Sequence, residues 1–121
     1  MTPREYHAQR EQARREEREA LRREVLEEAR SAIRRLAPGF PAIRAVYLFG
    51  SVLVQNRFWQ GSDVDVAIDC DDLRTETPFW RGLEDALRRN VDLRPHEGVI
   101  ARAVETSGER CYEREVPDPG A

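Results

Sequence analysis

The sequence predicts an α/β domain, a small mixed β-sheet flanked by helices and preceded by a long N-terminal helix. Three observations carry this. Residues 3–36 contain no Gly, and no Pro after Pro3, before the Pro38-Gly39 stop. Three short apolar runs, 43–49, 64–69 and 91–94, have the length and alternation of strands. Helical patterns lie between and after them. The resulting order is helix, strand, helix, strand, helix, strand, helix. At 121 residues this is one domain.

The first helix has two unlike halves. Leu21, Val25, Ala29, Ile33 and Leu36 form a stripe at helical spacing, which predicts burial of one face. From Gln9 to Glu19 almost every residue is charged, with both signs present. The second half should pack on the domain and the first half should project. The projecting arm offers a contact for a partner or a second copy of the chain. Equally, it reads as a solvated helix held by its own i,i+4 pairs, such as Glu11 and Arg15. A nucleic-acid arm fits less well, since residues 1–36 hold 10 Arg against 8 Glu and the face is mixed, not basic.

Phe40-Pro41 turns the chain into the first strand, 43–49. A short helix is expected from Ser51 to about Phe58. Phe58 and Trp59 read as packing residues, or as the wall of a base pocket. Gln60-Gly61 turns into the second strand, and Asp69, Asp71 and Asp72 follow it as a solvated turn. Thr77-Pro78 suits a helix start, with Phe79, Leu83 and Leu87 buried and Asn90 as a left-handed cap. Val91 to Arg94 is the third strand, ended by Pro95. A last helix runs from Glu97 to about Thr106, and Arg110 to Glu113 adds a short edge strand. The organisation expected is therefore a helix over 1–38, a domain over 39–115 and a disordered tail over 116–121.

A net charge of −3 argues against general nucleic-acid binding. Cys70 and Cys111 have neither metal-ligand nor redox-pair spacing, and no apolar run reaches membrane length. The expectation is a cytoplasmic protein with reduced thiols and no membrane contact.

The chemistry centres on two stretches, Leu48-Phe49-Gly50-Ser51 and Ser62-Asp63-Val64-Asp65-Val66-Ala67-Ile68. Alternation sends Val64, Val66 and Ile68 into a core and places Asp63 and Asp65 together on the other side. Adjacent carboxylates repel, and a cation between them removes that cost. Carboxylate oxygens suit Mg²⁺, which is commonly shared with substrate phosphates. Gly50 permits a sharp turn, and Ser51 is a good N-cap for a helix whose amides would take a phosphate. An anion site beside a metal site suggests a metal–nucleoside triphosphate. Asp92, flanked by Val91 and Leu93, has the same alternation as the second strand.

These residues resemble the signature of the minimal nucleotidyltransferases (MNT) of the DNA polymerase beta-like superfamily. The similarity runs over about residues 43 to 115. It implies the nucleotidyltransferase fold, with two Mg²⁺ ions held by Asp63, Asp65 and Asp92 as catalytic and metal residues. It also implies ATP or another NTP as substrate, bound by Gly50 and Ser51, with Ser62 beside them. The family often carries Arg-Gly shortly after Gly-Ser. Here Val52 to Asn56 stands there, and Arg57 is the first available substitute. Stand-alone members pair with a small helical HEPN protein as toxin–antitoxin systems, and this implies AMP transfer from ATP to a hydroxyl of that partner. Two other readings stay open: transfer to a small molecule such as an aminoglycoside, and a non-catalytic subunit that only binds a partner.

Overall fold

The structure is a computed structural model, and it describes residues 1–115; the tail expected over 116–121 lies outside the described residues. Helix α1, Pro3–Leu36, has 34 residues and is about 50 Å long. It starts with a reciprocal capping box. Thr2 Oγ1 accepts from the Glu5 amide at 3.1 Å, and Glu5 accepts from the Thr2 amide at 3.0 Å. It ends where Pro38-Gly39 breaks the periodicity in a 3-10 turn, Ala37–Gly39.

Strands β1 (Ile43–Phe49), β2 (Val64–Cys70), β3 (Val91–Pro95) and β4 (Glu109–Glu113) form one mixed sheet in the order β3-β2-β1-β4. β1 runs antiparallel to both β2 and β4, while β2 and β3 are parallel. The parallel pair needs a crossover, and α2 (Glu76–Leu87) supplies it. Helix α3 (Gly98–Ser107) connects the edge strand β3 to the opposite edge strand β4.

Period-two alternation divides the sheet. Val46, Leu48, Val64, Val66, Ile68, Val91 and Leu93 share one apolar cluster with Ile33 and Ala29 of α1 and Phe79, Leu83 and Leu87 of α2. The other face buries Ala45 and Ala67. There α3 lies across β1 and β2, burying Val104. The long helix packs through Val25, Leu26, Ala29, Ala32 and Ile33, whereas residues 1–18 are all exposed. Leu21 and Leu36 lie at the margin of the cluster.

Two expectations about local structure are corrected. The helix expected from Ser51 to Phe58 is only a 3-10 turn, Gly50–Leu53, followed by an open loop. Val52 is pulled fully into the core, and Asn56 takes a left-handed φ of 65°, so neither continues a helix. The left-handed cap of α2 falls on Arg88, at φ 50°, not on Asn90. The acidic residues at the end of β2 and just past it are paired with arginines. Arg44 pairs with Asp69 at 3.3 Å and Asp71 at 3.1 Å, and Arg114 reaches Asp71 at 3.3 Å. No helix among the described residues is long and apolar enough to cross a membrane.

The packing divides α1 into a half that matters for stability and a half that does not. Ile33→Ala, at a fully buried position, is expected to cost about 3 kcal/mol in urea denaturation. Arg15→Ala removes an exposed i,i+4 pair and is expected to change stability by less than about 0.5 kcal/mol. Equal costs at the two positions would contradict this division.

Candidate active site

The ends of β1, β2 and β3 meet beneath the Gly50 turn. In the β2/β3 register Asp65 lies directly beside Asp92, and in the β1/β2 register it lies beside Phe49, the residue before Gly50. Gly50 has φ +76°, a conformation that favours glycine. A Cβ there would stand 2.2 Å from Asp65 Oδ2. The turn therefore closes onto the carboxylate, and only a residue without a side chain fits.

The carboxylates are held by backbone. Both polar groups of Val91, on the outer edge of β3, are taken by α2 side chains. Glu84 accepts from the Val91 amide at 2.9 Å, and Trp80 Nε1 donates to the Val91 carbonyl at 2.7 Å. The start of the edge strand is thus covered, and this fixes the backbone next to Asp92. Asp63 precedes β2 and is exposed, so it is not a strand residue as its alternation suggested. The turn that carries it is held by Arg89, which donates to the carbonyls of Gln60 at 2.9 Å and Ser62 at 2.7 Å. Arg89 also lies over the Phe58 ring at 4.9 Å. Phe58 is core, while Trp59 is largely exposed.

Burial, the charge of Asp92 and the charge of Asp63 push the Asp65 carboxyl up to about 6, with Arg94 pulling the other way. Arg94 follows Asp92 by two residues and shares its face of β3. Its Nε donates to Asp92 Oδ1 at 3.0 Å. The bond to Asp92 raises the Arg94 guanidinium above its ordinary value. Arg94 supplies the positive charge that these carboxylates lack.

Of the residues singled out from the sequence, Gly50, Asp65 and Asp92 come together, and Asp63 is near enough to act on Asp65. Ser51 lies within the 3-10 turn and caps no α-helix. Ser62 Oγ accepts from the Trp59 amide at 3.1 Å, which closes a local turn. The Arg57 side chain is exposed and makes no ion pair among the described residues. Sequence reasoning missed Arg94 and Arg89. Arg94 was detectable from alternation with Asp92, but Arg89 has no such local signal. It also left His96 aside. The His96 ring stacks on Tyr47 at 4.3 Å, and its buried Nε2 has no partner among the described residues.

The donor set suits a divalent cation. Asp65 and Asp92 present hard oxygens side by side, and Asp65 carries a repulsion that such a cation would relieve. No ready cage of three such side chains is formed among the described residues. Asp92 is engaged with Arg94, and that bond must loosen for both carboxylates to ligate one ion.

Residues 31–116 match the family described as "Polymerase beta, Nucleotidyltransferase". That is well over half of the chain, and the chain belongs to this family. Solved structures of toxin–antitoxin complexes share the fold. One, a toxin–antitoxin with AMP-PNP, is 26% identical over 71% of this chain and 74% of that chain, with a TM-score of 0.59. Another, the MntA-HepT toxin–antitoxin, is 23% identical over 74% of this chain and 73% of that chain, with a TM-score of 0.53. A third, a tri-AMPylated Shewanella oneidensis HEPN toxin in complex with MNT antitoxin, is 23% identical over 74% and 73%, with a TM-score of 0.52. A comparison with curated proteins gave no match.

The raised Asp65 carboxyl sets a pH dependence. The unfolded chain releases this proton near 3.8 and the folded protein near 6. Asp65 therefore costs stability progressively as pH rises from about 3.8, and the cost is fully present once pH has passed about 6. In chelator at pH 7.5, Asp65→Asn is expected to be more stable than wild type by about 1 kcal/mol, a value reduced for solvent screening. It is also expected to lose much of the slope between pH 4 and 7. A destabilised Asp65→Asn protein under these conditions would show that Asp65 is not held against repulsion.

Proposed function

We propose that this chain is a Mg²⁺-dependent nucleotidyltransferase that moves AMP from ATP onto a hydroxyl of a small helical HEPN partner, acting as the antitoxin of the pair. The observation that carries the reading is the Asp65–Asp92 pair in register beneath Gly50, in a chain of the polymerase beta nucleotidyltransferase family. The likeness to toxin–antitoxin complexes, one of an AMPylated HEPN toxin with MNT antitoxin and one with AMP-PNP, supports the acceptor and the nucleotide.

In this reading Asp63, Asp65 and Asp92 would hold the metal, with two ions expected in the loaded site. Bound Mg²⁺ supplies neutralisation of the triphosphate and of the charge that develops on the leaving oxygen. The Gly50-Ser51 turn receives the β and γ phosphates, because the glycine lets the backbone turn sharply beside Asp65 and brings the turn next to the metal-holding carboxylates. The acceptor hydroxyl attacks the α-phosphorus, and its oxygen forms the new ester bond. The bond from the α-phosphorus to the bridging oxygen breaks, and pyrophosphate departs with that electron pair. Asp92 takes the hydroxyl proton. Ser62 and Arg57 border the nucleotide, and Arg57 is free to swing because nothing among the described residues holds it. Residues 39–115 carry the catalysis. The exposed arm of α1, residues 1–18, gives a surface for the partner chain or a second copy.

The test is transfer of label from α-phosphate-labelled ATP in Mg²⁺ to the co-expressed helical partner, with wild type compared against an Asp63→Ala, Asp65→Ala double variant. Label on the partner with wild type is expected. A fall of at least about 10³-fold in the variant is expected as well, since metal ligation and charge stabilisation are lost together. Partner that stays unlabelled while free nucleotide is consumed would move the acceptor to a small molecule. Equal labelling by the double variant would overturn the site assignment.

A further inference from the structure

We propose that Glu19 and Arg22 of α1 are positioning residues for the Gly50 turn, which makes the N-terminal helix a working part of the nucleotide site. Both precede residue 31, where the family match begins. Glu19 is the one buried charged residue among the described residues. A charge out of water must be paired, and its partners show what it is for.

Those partners lie on the loop behind Gly50. Arg22 grips the Glu19 carboxylate in a fork, with Nε at 3.0 Å and Nη2 at 3.0 Å. The remaining Arg22 nitrogen, Nη1, donates to the Val52 carbonyl at 3.2 Å. Glu19 Oε1 accepts from the Asn56 amide at 2.9 Å. Together the pair fastens the loop at Val52, two residues past Gly50, and at Asn56, where the backbone is left-handed. Between these anchors Val54 and Gln55 are exposed, and past the 3-10 turn the loop makes only short-range backbone bonds among the described residues, Val54 N–H to Ser51 O and Arg57 N–H to Val54 O, both 3.1 Å. The bonds to Arg22 hold Glu19 ionised, below its ordinary value.

The consequence follows from distance along the chain. Gly50 stands against Asp65 Oδ2 with no room for a Cβ. Val52 is also anchored by its buried side chain, so it is the exposed stretch from Val54 to Asn56 that would loosen without the pair, and with it the support behind the turn. The clamp fixes how the turn stands against Asp65, and so fixes the position of the turn's backbone relative to the carboxylates that would hold the cation and its phosphates. This inference rests on the reading of Gly50-Ser51 as a phosphate turn.

A second ion pair on the same helix gives the control. Arg30 ties α1 to Glu109 of β4 at 2.7 and 2.6 Å and makes no bond to the turn. The experiment compares Mg·ATP affinity by calorimetry and melting temperature for wild type, Glu19→Ala, Glu19→Gln and Arg30→Ala. Glu19→Ala is expected to weaken Mg·ATP binding about tenfold, the effect typical of residues that orient a metal site from behind. Glu19→Gln keeps an acceptor for the Asn56 amide and is expected to recover part of that loss. Arg30→Ala is expected to melt lower than wild type while its affinity is unchanged. Unchanged affinity in Glu19→Ala, or an equal loss in Arg30→Ala, would overturn the clamp. Should wild type bind no Mg·ATP, the phosphate-turn reading itself fails. Amide exchange then decides the clamp alone: it stands if Glu19→Ala speeds exchange at Asn56 and Arg30→Ala does not, and falls otherwise.

Discussion

The structure depends on a repulsion. Asp65 and Asp92 are neighbours in the β2/β3 register, and Asp63 adds a third carboxylate to the same end of the sheet. Apolar side chains at these positions would hold the strands together better. The fold nevertheless keeps the acids adjacent, and every nearby element bears the consequence. The Asp65 carboxyl resists ionisation, Arg94 folds back onto Asp92, and the chain passes over Asp65 at a glycine in a left-handed conformation. Such local conflict between stability and arrangement marks functional sites.

Rigid backbone holds the carboxylates in place. β2 is flanked by β1 and β3, and its inward residues Val64, Val66 and Ile68 are anchored in the common core. β3 is an edge strand, yet its first residue has both backbone groups satisfied by Glu84 and Trp80 of α2. The turn opposite is held from α1 by a buried carboxylate and its arginine. Two helices and three strands thus converge on this end of the sheet, and few of those restraints are local in sequence.

That distinction decides what could be read without a structure. β1, β2 and β3 were legible because alternation and β-branched residues act locally, and the family resemblance rested on the same stretches. The Asp65–Asp92 pairing was legible for the same reason, since matching alternation in two strands places both acids on one face. The segment after Ser51 was not. Its expected helix gave way because Val52 is drawn into the core and Asn56 is held from α1, both tertiary effects. Glu19 was hidden for a related reason. It ends a run of charged residues that is otherwise exposed, and only the fold shows that this one charge faces a loop rather than solvent. Asp63 was misplaced by one residue's worth of geometry, since alternation was extended past the point where β2 begins.

The same repulsion bears on how a chain of this size can be both stable and active. A ligand that binds only the folded state adds stability in proportion to the logarithm of its occupancy. A divalent cation with a triphosphate would remove the repulsion at Asp65 as well, so binding and relief of strain would act in the same direction. Arg94 is the fold's own partial substitute. It is exposed, and a single monovalent charge on Asp92 leaves Asp65 only weakly compensated. A stronger built-in cation would stabilise the empty protein but would compete with the ligand for the same oxygens. A weak, displaceable ion pair therefore offsets part of the repulsion in the empty fold and still leaves the carboxylates available to a cation.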